Sequence, residues 1–129
     1  MFTKTNCHLL LLATMLGGSM AWGDPTPQTI QSEKELKSAV RTAKTSGDHL
    51  RIAAYYEDQA KQLREKAKKE EELASYYQEH ADNYPKKYPT PYQNAKHLAN
   101  YYSWAADQAQ QKAATQSKLA AEAEAHPSN

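Results

Sequence analysis

Alanine falls at every seventh position through Ala53, Ala60, Ala67, Ala74 and Ala81, and this spacing limits the fold more than any other feature of the chain. Small residues in heptad register make a stripe on which a second helix can lie close. Three places after each alanine stand Tyr56, Leu63, Glu70, Tyr77 and Tyr84, which completes the 3-4 spacing of a coiled-coil seam over residues 53–84. The seam returns as Ala99, Ala106, Ala113 and Ala120, followed by Tyr102, Ala109, Gln116 and Ala123.

Residues 84–92 separate the two runs. They hold Pro85, Pro89 and Pro91 with Tyr84, Tyr88 and Tyr92 and the pair Lys86-Lys87. Each proline removes a backbone donor that a helix needs, so this stretch reads as a turn between helices over 48–83 and 93–125. Sliding the sequence so that Ala53 falls on Ala99 also brings Tyr55, Tyr56, Ala60, Gln62, Lys66, Ala67, Leu73 and Ala74 onto identical residue types. The two long helices therefore read as an internal duplication.

A shorter helix is expected first, over 30–45, with Leu36, Ala39, Val40 and Ala43 on one face. Gly47 reads as its stop and Asp48 as the N-cap of the next helix. Large aliphatic residues are scarce and nine tyrosines take much of the apolar share. A thick core is excluded, and a thin bundle is the fold that such a chain can close. The expected architecture is all-α: a long antiparallel, alanine-seamed helical hairpin (a coiled coil) with a shorter N-terminal helix, a three-helix arrangement forming one domain over 30–126.

Ahead of it, Lys4, the apolar run 9–16 and the small residues Gly17, Gly18, Ser19 and Ala21 have the layout of a signal peptide over 1–23. Cleavage is expected near Gly23, leaving an extended lead-in over 24–29 with Pro25 and Pro27. The run is too short to span a bilayer, so no transmembrane segment is expected in the mature chain. The single cysteine, Cys7, lies in the part removed, which rules out disulfides and thiolate chemistry in the mature chain despite an oxidising destination. Lys4 leaves with the leader, so 15 basic residues then stand against 15 acidic ones. That balance argues against bulk capture of nucleic acid or anionic lipid.

A turn centred near Tyr88 sets an antiparallel register that pairs Tyr56 with Ala120, Leu63 with Ala113, Ala74 with Tyr102 and Tyr77 with Ala99. Bulky residues then meet small ones. The same register lays Ile52, Gln59, Lys66, Leu73 and His80 along one edge of a groove and Leu98, Ala105, Lys112 and Leu119 along the other. The first helix, roughly 25 Å long at 1.5 Å per residue, covers the open end and stops near Lys66. Leu73, Tyr76, Leu98 and Tyr101 stay uncovered, with Trp104 and the turn's Tyr88 beside them. An aromatic tip is expected, and Tyr and Trp are the residue types that interfaces favour.

Histidines give a second signal. His80 and His97 flank the turn, while His49 and His126 meet at the other end, and paired imidazoles can begin a zinc, copper or nickel site. No metal-binding spacing links them, and solvated histidines on helix faces are the reading this spacing favours. The charged run 61–72 reads as a solvated flank with Glu65–Lys69 and Lys68–Glu72 four apart. Glu70, the one acid on the seam, reads as a residue that sets register and reaches solvent. With no phosphate loop, no nucleophile constellation and no room for a pocket inside an alanine seam, the chain does not read as an enzyme, and no cofactor is expected.

The segments 49–60 (HLRIAAYYEDQA), 67–77 (AKKEEELASYY) and 96–106 (KHLANYYSWAA) resemble a loose group of uncharacterised exported bacterial proteins with repeated alanine and Tyr-Tyr units on long helices. Those proteins often carry histidine where Glu70 stands here. The resemblance implies export and a helical fold and brings no activity with it. The sequence thus points to a periplasmic or secreted module, partnered by a second copy or an envelope protein through Leu73, Tyr76, Tyr88, Leu98, Tyr101 and Trp104. The alternative is a metal-binding or stress-sensing protein using His80 and His97.

Overall fold

A computed structural model describes residues 29–126. The expected signal peptide, and the lead-in apart from Thr29, lie outside the described residues. Within them the chain is all-α: α1 (Glu33–Thr42), α2 (Ser46–Glu79) and α3 (Pro91–Ala125), with a 3-10 turn at Ala81–Asn83. α2 and α3 form the long antiparallel hairpin, and the shorter α1 packs on α2. No helix among the described residues is long and apolar enough to cross a membrane.

The seam is buried as its spacing requires. Ala53, Ala60 and Ala74 on α2 meet Ala95, Ala99, Ala106, Ala109, Ala113 and Ala120 on α3. Alanine has the highest helix propensity, so the same residues favour each helix and allow close approach between them. Each buried methyl contributes only about 0.8 kcal/mol, and the hairpin depends on their number. Ile52 is the one large side chain that is fully buried among the described residues; with Ile30 and Leu36 it forms a small cluster that holds α1 in place.

Capping fixes where each helix starts, and here the structure corrects the sequence-based boundaries. Ser32 caps α1 by accepting from the Glu35 amide at 3.2 Å, so α1 begins at Glu33 and is shorter than 30–45. Thr45, not Asp48, is the N-cap of α2: its hydroxyl accepts from the Asp48 amide at 3.1 Å, while Asp48 Oδ2 accepts from the amides of Thr45 at 3.0 Å and Lys44 at 3.1 Å. This reciprocal pair satisfies amides at the junction of α1 and α2. Gly47 consequently lies inside the first turn of α2 and does not stop α1; the chain leaves α1 at Ala43, where ψ turns to 125°.

A second capping box starts α3. Thr90 accepts from the Gln93 amide at 3.3 Å and Gln93 Oε1 accepts from the Thr90 amide at 2.9 Å, with Pro91 at the first helical position, where its missing N–H costs nothing. α3 thus starts at Pro91 and not near Gln93, and α2 ends at Glu79 before the 3-10 turn, not at Asn83. The midpoint between those ends lies near Pro85, ahead of Tyr88.

That difference moves the register by about two helical turns. Glu71 binds Lys96 at 2.8 Å, Arg64 reaches Asp107 at 3.7 Å, and Lys112 lies over Tyr56. Ala67 and Glu71 line one groove with Ala99 and Ser103, so the expected pairings of Tyr77 with Ala99 and Tyr56 with Ala120 do not form. A slip of about one heptad leaves the seam positions the same and changes only their partners, which is why a periodic sequence conceals it.

Three outcomes follow from these features. Gly47 has no positive φ, and an added Cβ would meet only Thr45 Oγ1 at 3.8 Å, so Gly47→Ala is expected to stabilise the chain by about 0.5–1 kcal/mol. A thermal melt with Tm lowered would show that Gly47 serves as a stop after all. At the seam, Ala60→Leu is expected to cost about 1–3 kcal/mol by overpacking, whereas Ala54→Leu on the exposed flank changes stability little; equal effects in urea titration would argue against the buried seam. Finally, the amides of Lys44 and Thr45 hold the Asp48 carboxyl below its ordinary range. A depressed folded-state pKa stabilises above the unfolded value of about 3.9 and the benefit is lost as pH falls through the folded value. The acid limb of Tm against pH is therefore expected to be shallower in Asp48→Asn, and an unchanged limb would contradict the assigned role.

Candidate aromatic interaction surface

The two broad faces of the hairpin differ in chemistry. One carries the interhelical ion pairs Arg64–Asp107 and Lys96–Glu71, and the Glu71 carboxylate holds the Lys96 ammonium above the usual lysine range. The opposite face carries the aromatic residues and α1.

Three Tyr-Tyr pairs lie along the long helices, each with rings edge to face: Tyr55–Tyr56 at 5.7 Å, Tyr76–Tyr77 at 6.0 Å and Tyr101–Tyr102 at 5.6 Å. The second tyrosine of each pair is half-buried at the seam edge, where helical spacing places it three residues after a seam alanine. The first points further out. Lysines from the opposite helix cover two of the seam-edge rings: Lys112 lies 5.5 Å from the Tyr56 centroid and Lys66 lies 5.8 Å from that of Tyr102, within cation–π range. Sequence reasoning missed these two contacts. Their signal was present, since Lys66 and Lys112 are matched in the duplication as Tyr56 and Tyr102 are.

α1 covers only the end of this face near the termini. Leu36 and Val40 border a cleft of about 1020 Å³ with Tyr55, Tyr56, Gln59 and Lys112. Its ten residues span about 15 Å, so the rest of the face is open. Leu73 and Tyr76 on α2 and Leu98, Tyr101 and Trp104 on α3 are all exposed, Tyr101 to 53 % and Trp104 to 60 %. Tyr101 and Trp104 stand with ring centroids 6.3 Å apart.

The turn folds back over part of the aromatic group. Tyr84 sets its ring against Tyr77 at 4.8 Å, and its hydrogen bond with Tyr76 raises the Tyr84 phenol above its ordinary pKa. Tyr76 in turn stacks on His80 at 4.3 Å. Tyr88 stands apart in the turn, exposed to 79 % and without a ring contact among the described residues. Tyr77, Tyr84, Pro85, Pro91 and Tyr92 border a small hollow of about 220 Å³ at the turn.

The histidines do not assemble. His80 Nδ1 lies 2.9 Å from the Tyr76 carbonyl and so donates to it, while His97 is exposed on the outer side of α3. At the other end His49 Nδ1 lies 2.8 Å from Gln116 Oε1, and His126 is the C-cap of α3. Gln116 thus pairs with His49 and not with Ala60. Among the described residues no three His, Cys, Asp or Glu side chains form a group able to hold a metal ion. Glu70 is half-buried, and no charged or polar side chain among the described residues is fully buried. Compared with protein-family models, with curated proteins and with solved structures, the chain matches none.

Proposed function

We propose that this protein is an exported interaction module that self-associates or binds an envelope partner through the aromatic face at its turn end. The observation that carries the reading is the exposure of Leu73, Tyr76, Leu98, Tyr101 and Trp104 together on one face of a rigid hairpin, past the reach of α1. Tyrosine and tryptophan offer large contact area with few rotatable bonds, so their immobilisation on binding costs little. A grouped apolar surface of this kind is what distinguishes an interface from scattered exposed side chains. Export, with a periplasmic or secreted location, is supported by the leader layout over 1–23. The knob-and-seam spacing supports coiled-coil packing within the hairpin. The alternative, a metal-binding or stress sensor using His80 and His97, draws no support from the geometry, because His80 is turned to its own helix and His97 faces outward.

Light scattering over a hundredfold concentration range tests the self-association arm. The wild-type mass is expected to rise towards a dimer, and Tyr101→Ala with Trp104→Ala is expected to weaken assembly at least about tenfold, as for aromatic interface residues worth more than 1 kcal/mol each. Both side chains are exposed, so the variant should keep its helicity. Wild type and variant that assemble alike would remove this surface from the interface, and a wild type that stays monomeric throughout would leave the envelope partner as the occupant.

A further inference from the structure

We infer that the turn-end surface is a second copy of the helix-docking site that α1 fills, and that its ligand is an amphipathic α-helix of α1's chemistry carried by another protein chain. The inference rests on the interaction reading above and names the partner that fits it.

The two crossed lysine contacts reveal the duplication in space. Lys112 covers Tyr56 and Lys66 covers Tyr102 at nearly equal distances, 5.5 and 5.8 Å. Sequence matching exchanges the members of one contact for those of the other. An antiparallel hairpin with that property has an approximate two-fold axis perpendicular to its broad face. Such an axis keeps each face on its own side and exchanges the two ends.

Applied to α1's site, the operation gives the exposed surface residue by residue. Ile52, Tyr55, Tyr56, Gln59 and Lys112 border α1, and their counterparts are Leu98, Tyr101, Tyr102, Ala105 and Lys66. Three of the five are identical and Ile52 becomes leucine. The remaining change, glutamine to alanine, makes the second site more apolar. Asp58, which receives a hydrogen bond from Gln62, has Trp104 as its counterpart, so a solvated carboxylate is replaced by an indole. Covering makes the difference between the ends: Ile52 is 0 % exposed beneath α1, and Leu98 is 39 % exposed with no helix over it.

α1 shows what the site accepts. Ile30 and Leu36 anchor it on Ile52, and the small residues Ala39 and Ala43 pack against that cluster, as Tyr55 and Tyr56 do from the hairpin. The spacing Leu-x-x-Ala-x-x-x-Ala is a narrow helical stripe that lets a backbone lie close to the hairpin. Glu33 is paired with Lys37 of its own helix at 2.8 Å, so the fit of α1 to this site rests on its apolar stripe and not on a charge contact with Lys112.

The test uses the mature chain from Asp24, in which Trp104 is the only tryptophan and places a fluorophore beside the site. The probe is a synthetic peptide of residues 29–45, which has no aromatic residue. Titration to millimolar concentration is expected to give a saturable blue shift of Trp104 emission. Tyr101→Asp in the chain, or Leu36→Asp in the peptide, is expected to weaken it at least tenfold. Ile52→Ala, which acts on α1's own site, is expected to leave it unchanged. Absence of a saturable shift overturns the proposal, as does a shift that survives Tyr101→Asp. If the peptide fails while scattering still shows assembly lost on replacing Tyr101 and Trp104, a second hairpin is the occupant; the helix ligand falls and the interaction reading stands. If the peptide fails and the wild type and the Tyr101, Trp104 variant assemble alike, both fall.

Discussion

Close approach of two helices along alanine is the constraint on which the rest of the structure depends. A seam of methyl groups leaves no internal space, so every bulky side chain must sit at the seam's margin or beyond it. Ile52 is the only large residue fully enclosed among the described residues, and only because α1 closes over it. The tyrosines are therefore displaced to the edges, where they keep their hydroxyls wet and their rings available. Among the described residues the aromatic rings therefore lie at the surface of the hairpin and not inside it.

Caps rather than side-chain interlock set how the helices face each other. The seam repeats, and sliding it by a heptad returns alanine to alanine at little cost. What distinguishes one register from its neighbours is the length of the connection, and that is fixed by Thr90, Pro91 and Gln93 at one side and the end of α2 at Glu79 on the other. The ion pairs on the polar face, Lys96–Glu71 and Arg64–Asp107, then add a preference that a slipped register would lose. Exposed pairs of this sort are weak singly, and their use here is to discriminate between registers.

The parts of the molecule legible in the sequence are those governed by periodicity and by proline. Heptad alanines specified two long helices, the prolines specified the turn, and counting the reach of the first helix left Leu73, Leu98 and Tyr101 exposed. What was misread depended on local hydrogen bonds. Gly47 looks like a stop, yet Thr45 and Asp48 make it part of a first turn; Tyr88 looks like the centre of the hairpin, yet Pro91 suits the first position of a helix and draws α3 back. The register followed from that second choice. Side-chain direction was the other gap: His80 and His97 lie near each other in number, but the Tyr76 carbonyl and ring keep His80 on its own helix. Tyr84, similarly, belongs to the turn in sequence and to Tyr77 in space.

The duplication of the long helices also explains why one end of the aromatic face is covered and the other is open. Two equivalent sites would need two short helices to close them. The described residues supply one, joined to α2 by the short link Ala43–Thr45 that the Asp48 carboxylate clamps. The matching segment before α3 is the proline-containing turn, and its residues are already committed: Tyr84 packs on Tyr77, and Thr90 and Pro91 start the next helix. A turn that must reverse the chain cannot also contribute a docked helix. Leu98, Tyr101 and Trp104 are thus left uncovered, among the described residues, by the same geometry that closes the hairpin.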